Sequence, residues 1–327
     1  MDKLIASVAI CTYNRANSLE DSIRAASEQR VEFDYEVIVV DNKSTDGTKS
    51  VVRRMQEIYP HIRYVREENQ GIAYARNCAV HEARGDIVAF TDDDGIAQPG
   101  WLAALVEVFD RPEVGGVAGK IVLDLPDEIP TWLNPAMYSF LAAYDRGPEP
   151  KETDEAYTCN FAFRRAIAIE LGAFSVKLGF CADKLLPGED TDFARRLILA
   201  GNKLMYMPHA VVFHRPDASR LNEDWFLRRY RQQGRVEVLI GSAPGELSDI
   251  MKAARELTDA KIAARVHGKR GESDARFHNL LTIEHRSGLL DEFLPRLPLR
   301  QRYGIMIKCR VDYCKAVFRM ARRINRG

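Results

Sequence analysis

Over its first hundred residues the 327-residue chain alternates short β-branched runs with stretches of helical periodicity. That pattern builds a parallel sheet through βαβ crossovers. Strands are expected at 6–11, 35–40, 62–65 and 86–90. Leu19, Ile23 and Ala26 share a helical face behind Asn17, which is placed to cap that helix while Glu20 closes a capping box. The second crossover puts Val51, Val52, Met55 and Ile58 on one face. The third runs over 72–83 and is expected to stop at Gly85 in left-handed geometry. Beyond it the pattern predicts a helix at 101–109, a strand at 114–123, an irregular loop over 124–155 flanking a cleft, and a strand at 157–164. A short helix at 166–171, a helix at 193–199 and a last strand at 204–207 follow, and from about Trp225 the signal is mainly helical.

Charge excludes one broad class of function. Forty-seven basic and 47 acidic residues cancel, which removes a global electrostatic case for nucleic-acid binding. The balance is uneven, since residues 295–327 carry ten Lys or Arg against one acid. On a helical wheel Lys308, Lys315, Arg319, Arg322 and Arg326 fall beside an apolar side of Ile307, Val311, Cys314, Phe318 and Ala321. This suits either peripheral contact with anionic lipid or docking onto the protein body. Six cysteines without a Cys-x-x-Cys pair read as reduced cytosolic thiols, and no secretion signal is visible. No run reaches the ~18 apolar residues that crossing a bilayer needs.

Open parallel sheets bind ligands beyond the carboxyl ends of their strands. The residues there are Thr12-Tyr13-Asn14-Arg15, Asp41-Asn42-Lys43-Ser44, Glu67-Glu68-Asn69 and Thr91-Asp92-Asp93-Asp94, so four strand ends converge on one polar crevice. Three consecutive aspartates repel one another, and a divalent cation removes that cost. Oxygen ligation suits Mg²⁺ or Mn²⁺, which commonly bridge carboxylates and a diphosphate, although an isolated acidic turn can also simply be solvated.

Five segments in order complete a resemblance: residues 7–15 (SVAICTYNR), 39–48 (VVDNKSTDGT), 69–77 (NQGIAYARN), 90–94 (FTDDD) and 188–192 (GEDTD). Over roughly residues 4–216 the chain resembles the family-2 glycosyltransferases, α/β enzymes of the GT-A (Rossmann-like) fold that move a sugar from a nucleoside diphosphate. The resemblance implies that Asp92 and Asp93 meet the donor, that Asp94 binds the metal, and that Asp41 holds the nucleoside. The alternative for Asp41 is an Asx turn capping the next helix. Thr12, Tyr13 and Arg15 suit base and phosphates, as does Arg76, unless surface ion pairing explains it. Asp190, in Glu189-Asp190, is implied as the general base that deprotonates the acceptor hydroxyl in an inverting displacement. Glu189 and Asp190 also suit helix capping, a task that Asp192 is placed to take over. His214 stands where relatives often supply a metal ligand, with His209 as the alternative, and an imidazole ligand leans the choice toward Mn²⁺.

Residues 159–165 resemble the acceptor-side strand or are plain core. Trp132 and Tyr138 either stack on sugar rings or close the domain, and the arginine-rich stretch 224–235 is either a lid over the diphosphate or a solvated helix face. The organisation expected is a GT-A domain over 1–222 and a helical extension with a basic tail over 223–327. The implied function is transfer from a nucleotide sugar, UDP-linked by default, to a glycan or lipid-linked acceptor of surface polysaccharide synthesis, in the cytoplasm or peripherally on the inner membrane face. The alternatives are a sugar-phosphate nucleotidyltransferase, whose usual glycine-rich phosphate loop is not seen after the first strand, and a non-catalytic sugar-nucleotide binding protein.

Overall fold

The computed structural model describes residues 4–181, 184–241, 247–297, 301 and 305. The chain divides into two compact units, one of residues 1–127 and 135–217, the other of residues 128–134 and 218–327.

The first unit opens with β1 (Ala6–Thr12), α1 (Leu19–Ser27), β2 (Tyr35–Asp41), α2 (Thr48–Ile58), β3 (Ile62–Arg66), α3 (Ile72–Glu82) and β4 (Ile87–Asp92). Then follow β5 (Gly95–Ala97), α4 (Trp101–Val106), β6 (Val114–Leu123), β7 (Lys151–Glu152), β8 (Phe161–Arg164) and α5 (Arg165–Glu170). A small hairpin of β9 (Gly179–Cys181) and β10 (Lys184–Leu186), the helix α6 (Glu189–Leu199) and β11 (Lys203–His214) complete it. Nine strands form one sheet in the order β3-β2-β1-β4-β8-β6-β11-β5, with β7 also on β11. The β1–β4 half is parallel, and β8 runs antiparallel between β4 and β6. Every residue of β1 is buried, as a strand covered on both faces requires.

Local chemistry departs from expectation at several points. Asn17 does not cap α1: Ser18 occupies that position without a side-chain capping bond, and Glu20 instead pairs with Arg24 and Arg54. Gly85 is not left-handed. A Cβ there would lie 2.5 Å from the Ala6 carbonyl carbon, so glycine is needed for close approach to β1, where its N–H donates to Ser7 Oγ at 2.9 Å. Ile58 is exposed rather than packed. The segment expected as a strand from 157 begins with a 3₁₀ turn at Thr158–Asn160 and becomes β8 only at Phe161. The final strand is also longer than expected, because a register shift between Met207 and Val211 lets β11 bend and continue to His214. Buried Asn160 supports that bulge, donating to the carbonyls of Ala210 (2.8 Å) and Lys120 (2.9 Å) while accepting from Trp101 Nε1 (2.7 Å).

The second unit contains α7 (Glu223–Leu239), α8 (Leu247–Arg270) and α9 (Ser273–Phe293). Helices α7 and α9 cross at Gly234 and Gly288, where any Cβ would overlap the facing backbone carbonyls of His285 and Arg231. Trp132 packs edge-on against Phe226 and Phe277, at 5.2 and 4.7 Å between ring centroids, which fits the domain-closing reading. Arg231 is tied to Glu284 and Asp291, and Arg235 to Glu292, so these arginines lace two helices together. The basic helix expected over 307–326 lies outside the described residues. Among the described residues no helix is long and apolar enough to cross a membrane.

Replacing Gly85 with Ala is expected to lower stability by about 1–3 kcal/mol, the usual cost of forcing atoms into filled space. Urea unfolding of the variant checks this, and an unchanged midpoint contradicts the close-approach account.

Candidate active site

Strand register sets the site. Thr12 pairs with Asp41, Cys11 with Asp92, and Asp41 with Arg66, so the ends of β1, β2, β3 and β4 form one row. Beyond β4 the chain turns sharply through Asp93 and Asp94 into β5. Gly95 allows this, since a Cβ there would approach Thr91 Oγ1 to 2.6 Å. Strand β5 then pairs with the end of β11, and the Arg215 N–H donates to the Asp94 carbonyl at 2.9 Å.

The loops beyond the first strands are bonded to one another. Asn14, at φ 52°, donates its N–H to Ser44 Oγ (2.9 Å) and accepts from the Thr45 N–H at its Oδ1 (2.8 Å). Asn42 accepts from the Gly71 N–H (2.7 Å) and donates to the Asn69 carbonyl (2.7 Å). These asparagines were not singled out from the sequence, although polar residues directly after β-branched runs were the available signal. Tyr13 stands exposed on the same rim.

The aspartate triplet lies in three environments. Asp92 is half-buried, and its Oδ1 is 3.7 Å from Arg76 Nη2. Asp93 is buried and accepts from Thr12 Oγ1 at 2.7 Å; burial and the charge of Asp94 push its carboxyl up to about 7, against the pull of Thr12 and Arg15. Asp94 is buried with its Oδ1 3.2 Å from His214 Nε2 and its Oδ2 4.0 Å from Arg15 Nη2, while Arg15 Nη1 reaches Asp217 at 3.3 Å.

His214 is oriented from behind. Its Nδ1 lies 2.8 Å from the Leu141 carbonyl, an acceptor only, so Nδ1 carries a hydrogen and Nε2 turns toward Asp94. In its neutral form the imidazole would present an Nε2 lone pair beside a carboxylate oxygen, an arrangement that a shared cation would make favourable. This donor set fits a divalent metal. His209 sits exposed at the bulge of β11 and has no part in the cluster. Leu141 could not have been found from sequence, because only its backbone acts.

Arg76 departs from expectation most. It is not a surface residue: it is buried, bonds Glu189, and approaches Asp92. Burial opposes its charge, but Glu189, Asp92 and Asp190 outweigh that and raise its pKa above the ordinary arginine value. Burial pushes the Glu189 carboxyl upward while Arg76 pulls it back. Helix α6 begins at Glu189 itself behind left-handed Gly188 (φ 112°), so Asp190 lies in the first turn. Its Oδ2 accepts from the Thr158 N–H at 3.4 Å. Asp192 does not cap the helix and pairs with Arg196 instead.

Two segments left open by the sequence take definite places. Asp41 is fully buried and receives the Ser44 N–H (2.8 Å), Tyr64 O–H (2.7 Å) and Arg66 guanidinium (3.3 Å), so its side chain holds the turn 41–44 with no exposed oxygen. The stretch 159–165 divides: Phe161 to Phe163 are core, and Arg164 and Arg165 close off backbone carbonyls. Cys159 remains at the site, with its sulfur, an Asp92 oxygen and a His214 nitrogen all within 4.8 Å of one another. Tyr138 is half-buried in a 3₁₀ turn at Pro135–Leu141.

The glycosyl transferase family 2 model matches residues 7–172, just over half of the chain, and the protein belongs to that family. It is a glycosyltransferase. It is 29% identical over 238 residues to the glucosyl-dolichyl phosphate glucuronosyltransferase of Haloferax volcanii, covering 70% of this chain and 74% of that one. It is 29% identical over 234 residues to the succinoglycan biosynthesis protein ExoM of Rhizobium meliloti, covering 70% and 72%. A mannosyltransferase from Pyrobaculum calidifontis, solved with GDP-Man and Mn²⁺, shares the fold with a TM-score of 0.57 at 21% identity, over 98% of this chain and 86% of that one. Staphylococcus aureus TarS 1-349 does so at 0.51 and 17%, over 86% and 90%. These likenesses establish the GT-A fold.

Replacing Arg76 with Met leaves a buried carboxylate without its partner and is expected to cost about 3–5 kcal/mol. The double variant Arg76→Met, Glu189→Leu is expected to recover much of that loss. Urea denaturation of both, and of Glu189→Leu alone, checks this, and a double-variant loss equal to the sum of the two single losses would show that the pair is not energetically coupled.

Proposed function

We propose that the chain is an inverting, metal-dependent transferase that moves a sugar from a nucleoside diphosphate, UDP by default, to a hydroxyl of a glycan or lipid-linked acceptor of surface polysaccharide synthesis. One observation carries this reading. The Thr158 N–H binds Asp190, and the next residue, Cys159, stands beside Asp92 and His214. A single turn of chain thus joins the base to the acidic cluster. The named activities of the Haloferax and Rhizobium relatives support the acceptor class. The nucleotide sugars bound by structural neighbours, GDP-Man in one and UDP-GlcNAc in TarS, support the donor class and leave the nucleoside to experiment.

In this reading residues 1–127 and 135–217 are the catalytic unit. Thr12, Tyr13 and Arg15 form the rim against which base and phosphates rest. Asp41 serves the nucleoside through the turn it holds, and Asp92 and Asp93 meet the donor. Asp94 and His214 hold the cation. When bound, that cation, Mn²⁺ or Mg²⁺, offsets the charge that grows on the leaving diphosphate. Asp190 takes the proton of the acceptor hydroxyl as it attacks the anomeric carbon, a contribution of ~10²- to 10⁴-fold. Arg76 keeps the charge of neighbouring Asp92 and Glu189 compensated and so keeps Asp190 in place. The enzyme works on the cytoplasmic side, and the basic tail over 295–327 draws it to anionic lipid.

Asp190→Asn is expected to leave nucleotide binding intact and reduce transfer by at least ~10²-fold; near-normal turnover excludes Asp190 as base. With Asp94→Asn, Mn²⁺-dependent affinity for the nucleoside diphosphate should fall, and unchanged calorimetric affinity removes Asp94 from the metal site. A thermal-shift screen of nucleotide sugars with and without Mn²⁺ identifies the donor. For the tail, liposome flotation should distinguish the full chain from one ending at Leu294, and equal flotation overturns the membrane role.

A further inference from the structure

Cys159 is not used by the reaction. It is buried at 1% exposure, and its sulfur lies within 4.8 Å of both an Asp92 oxygen and a His214 nitrogen. Around a tetrahedral ion with bonds of about 2.0–2.3 Å, two donors sit roughly 3.3–3.8 Å apart, so side-chain adjustments of about an ångström would bring the three onto one centre. Their backbones are held in the sheet or directly beside it. Asp92 ends β4, Cys159 precedes β8, and His214 ends β11. Strands β4 and β8 are paired up to Phe90 and Phe161, and the Leu141 carbonyl fixes the imidazole with Nε2 as its donor.

Carboxylates and an imidazole serve Mn²⁺ well, but a thiolate is a soft donor and changes which metal the site prefers. We propose that Asp92, Cys159 and His214 form a zinc site overlapping the catalytic cation site, so that Zn²⁺ seizes the crevice and blocks the donor. The Cys159 thiol releases its proton to solvent as the sulfur–zinc bond forms. With one carboxylate and one thiolate, the centre has no net charge, and a water completes four-coordination. A neutral centre offers a diphosphate little attraction, and it removes His214 from the catalytic cation and Asp92 from the donor. The inhibitory part rests on the proposed transferase roles of those two residues; zinc binding itself does not.

The test uses the metal-stripped full chain. Titration with Co²⁺ is read by the near-ultraviolet thiolate-to-cobalt charge-transfer band, and Zn²⁺ affinity by competition with a chromophoric chelator. In the intact protein the band should saturate at one equivalent, and in Cys159→Ser it should be lost. Zinc affinity should fall by ~10²-fold in that variant, while Mn²⁺-dependent nucleotide affinity stays within about twofold. An unchanged band or unchanged zinc affinity in Cys159→Ser overturns the proposal. Should that variant fail to fold, Cys159→Ala substitutes for it, and absence of the band from the unsubstituted protein is by itself fatal. Calorimetry of nucleotide binding with Mn²⁺ separates the outcomes: if it succeeds while zinc fails, only the zinc site falls.

Discussion

Negative charge is concentrated in one crevice, and the rest of the site is arranged around that fact. Asp92, Asp93, Asp94, Glu189 and Asp190 belong to one neighbourhood, and two unit charges 4 Å apart interact by about 4 kcal/mol even at an effective dielectric of 20. Arg76, buried between Glu189 and Asp92, is the inner counter-charge, and Arg15 is the outer one. They do not suffice for the triplet. The Asp93 carboxyl is pushed up to about 7, which means that the acids cannot all be comfortably ionised together. An arrangement of this kind is suited to a bound cation, which would raise its stability.

The sheet makes such crowding possible. Side chains placed by strand register cannot relax apart without breaking the ladder, and the pairing of Cys11 with Asp92 and of Thr12 with Asp41 fixes the row. The loops add little freedom, because Asn14 and Asn42 cross-link them through backbone groups. Geometry of this sort is set before any ligand arrives, so little reorganisation is left for the reaction to demand.

Much of the first half was legible because its signals are local. Buried parallel strands read as β-branched runs, and polar clusters directly after them mark the ligand-binding edge. What was not legible depends on long-range contact. Gly85 looks like a helix terminator in sequence, yet its conformation is ordinary and its requirement comes from Ala6 nearly eighty residues earlier. Trp132 looks like a sugar platform, yet Phe226 and Phe277, remote in sequence, enclose it. The bend that carries β11 on to His214 rests on Asn160 and on a carbonyl rather than on any residue in the strand's own pattern. Cys159 gave no signal because a single cysteine has meaning only beside Asp92 and His214.

Arg76 and Asp41 show why residue matching assigns chemistry more readily than it assigns contact. Both lie in segments that resemble the family's, and both were expected to touch the donor. A fully enclosed carboxylate with three donors around it is more useful as a brace than as a ligand, since exposing it would break bonds to Ser44, Tyr64 and Arg66 together. Arg76 is constrained in the same way. Removing it from Glu189 to meet a phosphate would leave a buried anion behind, a larger loss than one exposed phosphate contact returns. Arg76 therefore couples Asp92, at the end of β4, to the helix start that carries Glu189 and Asp190.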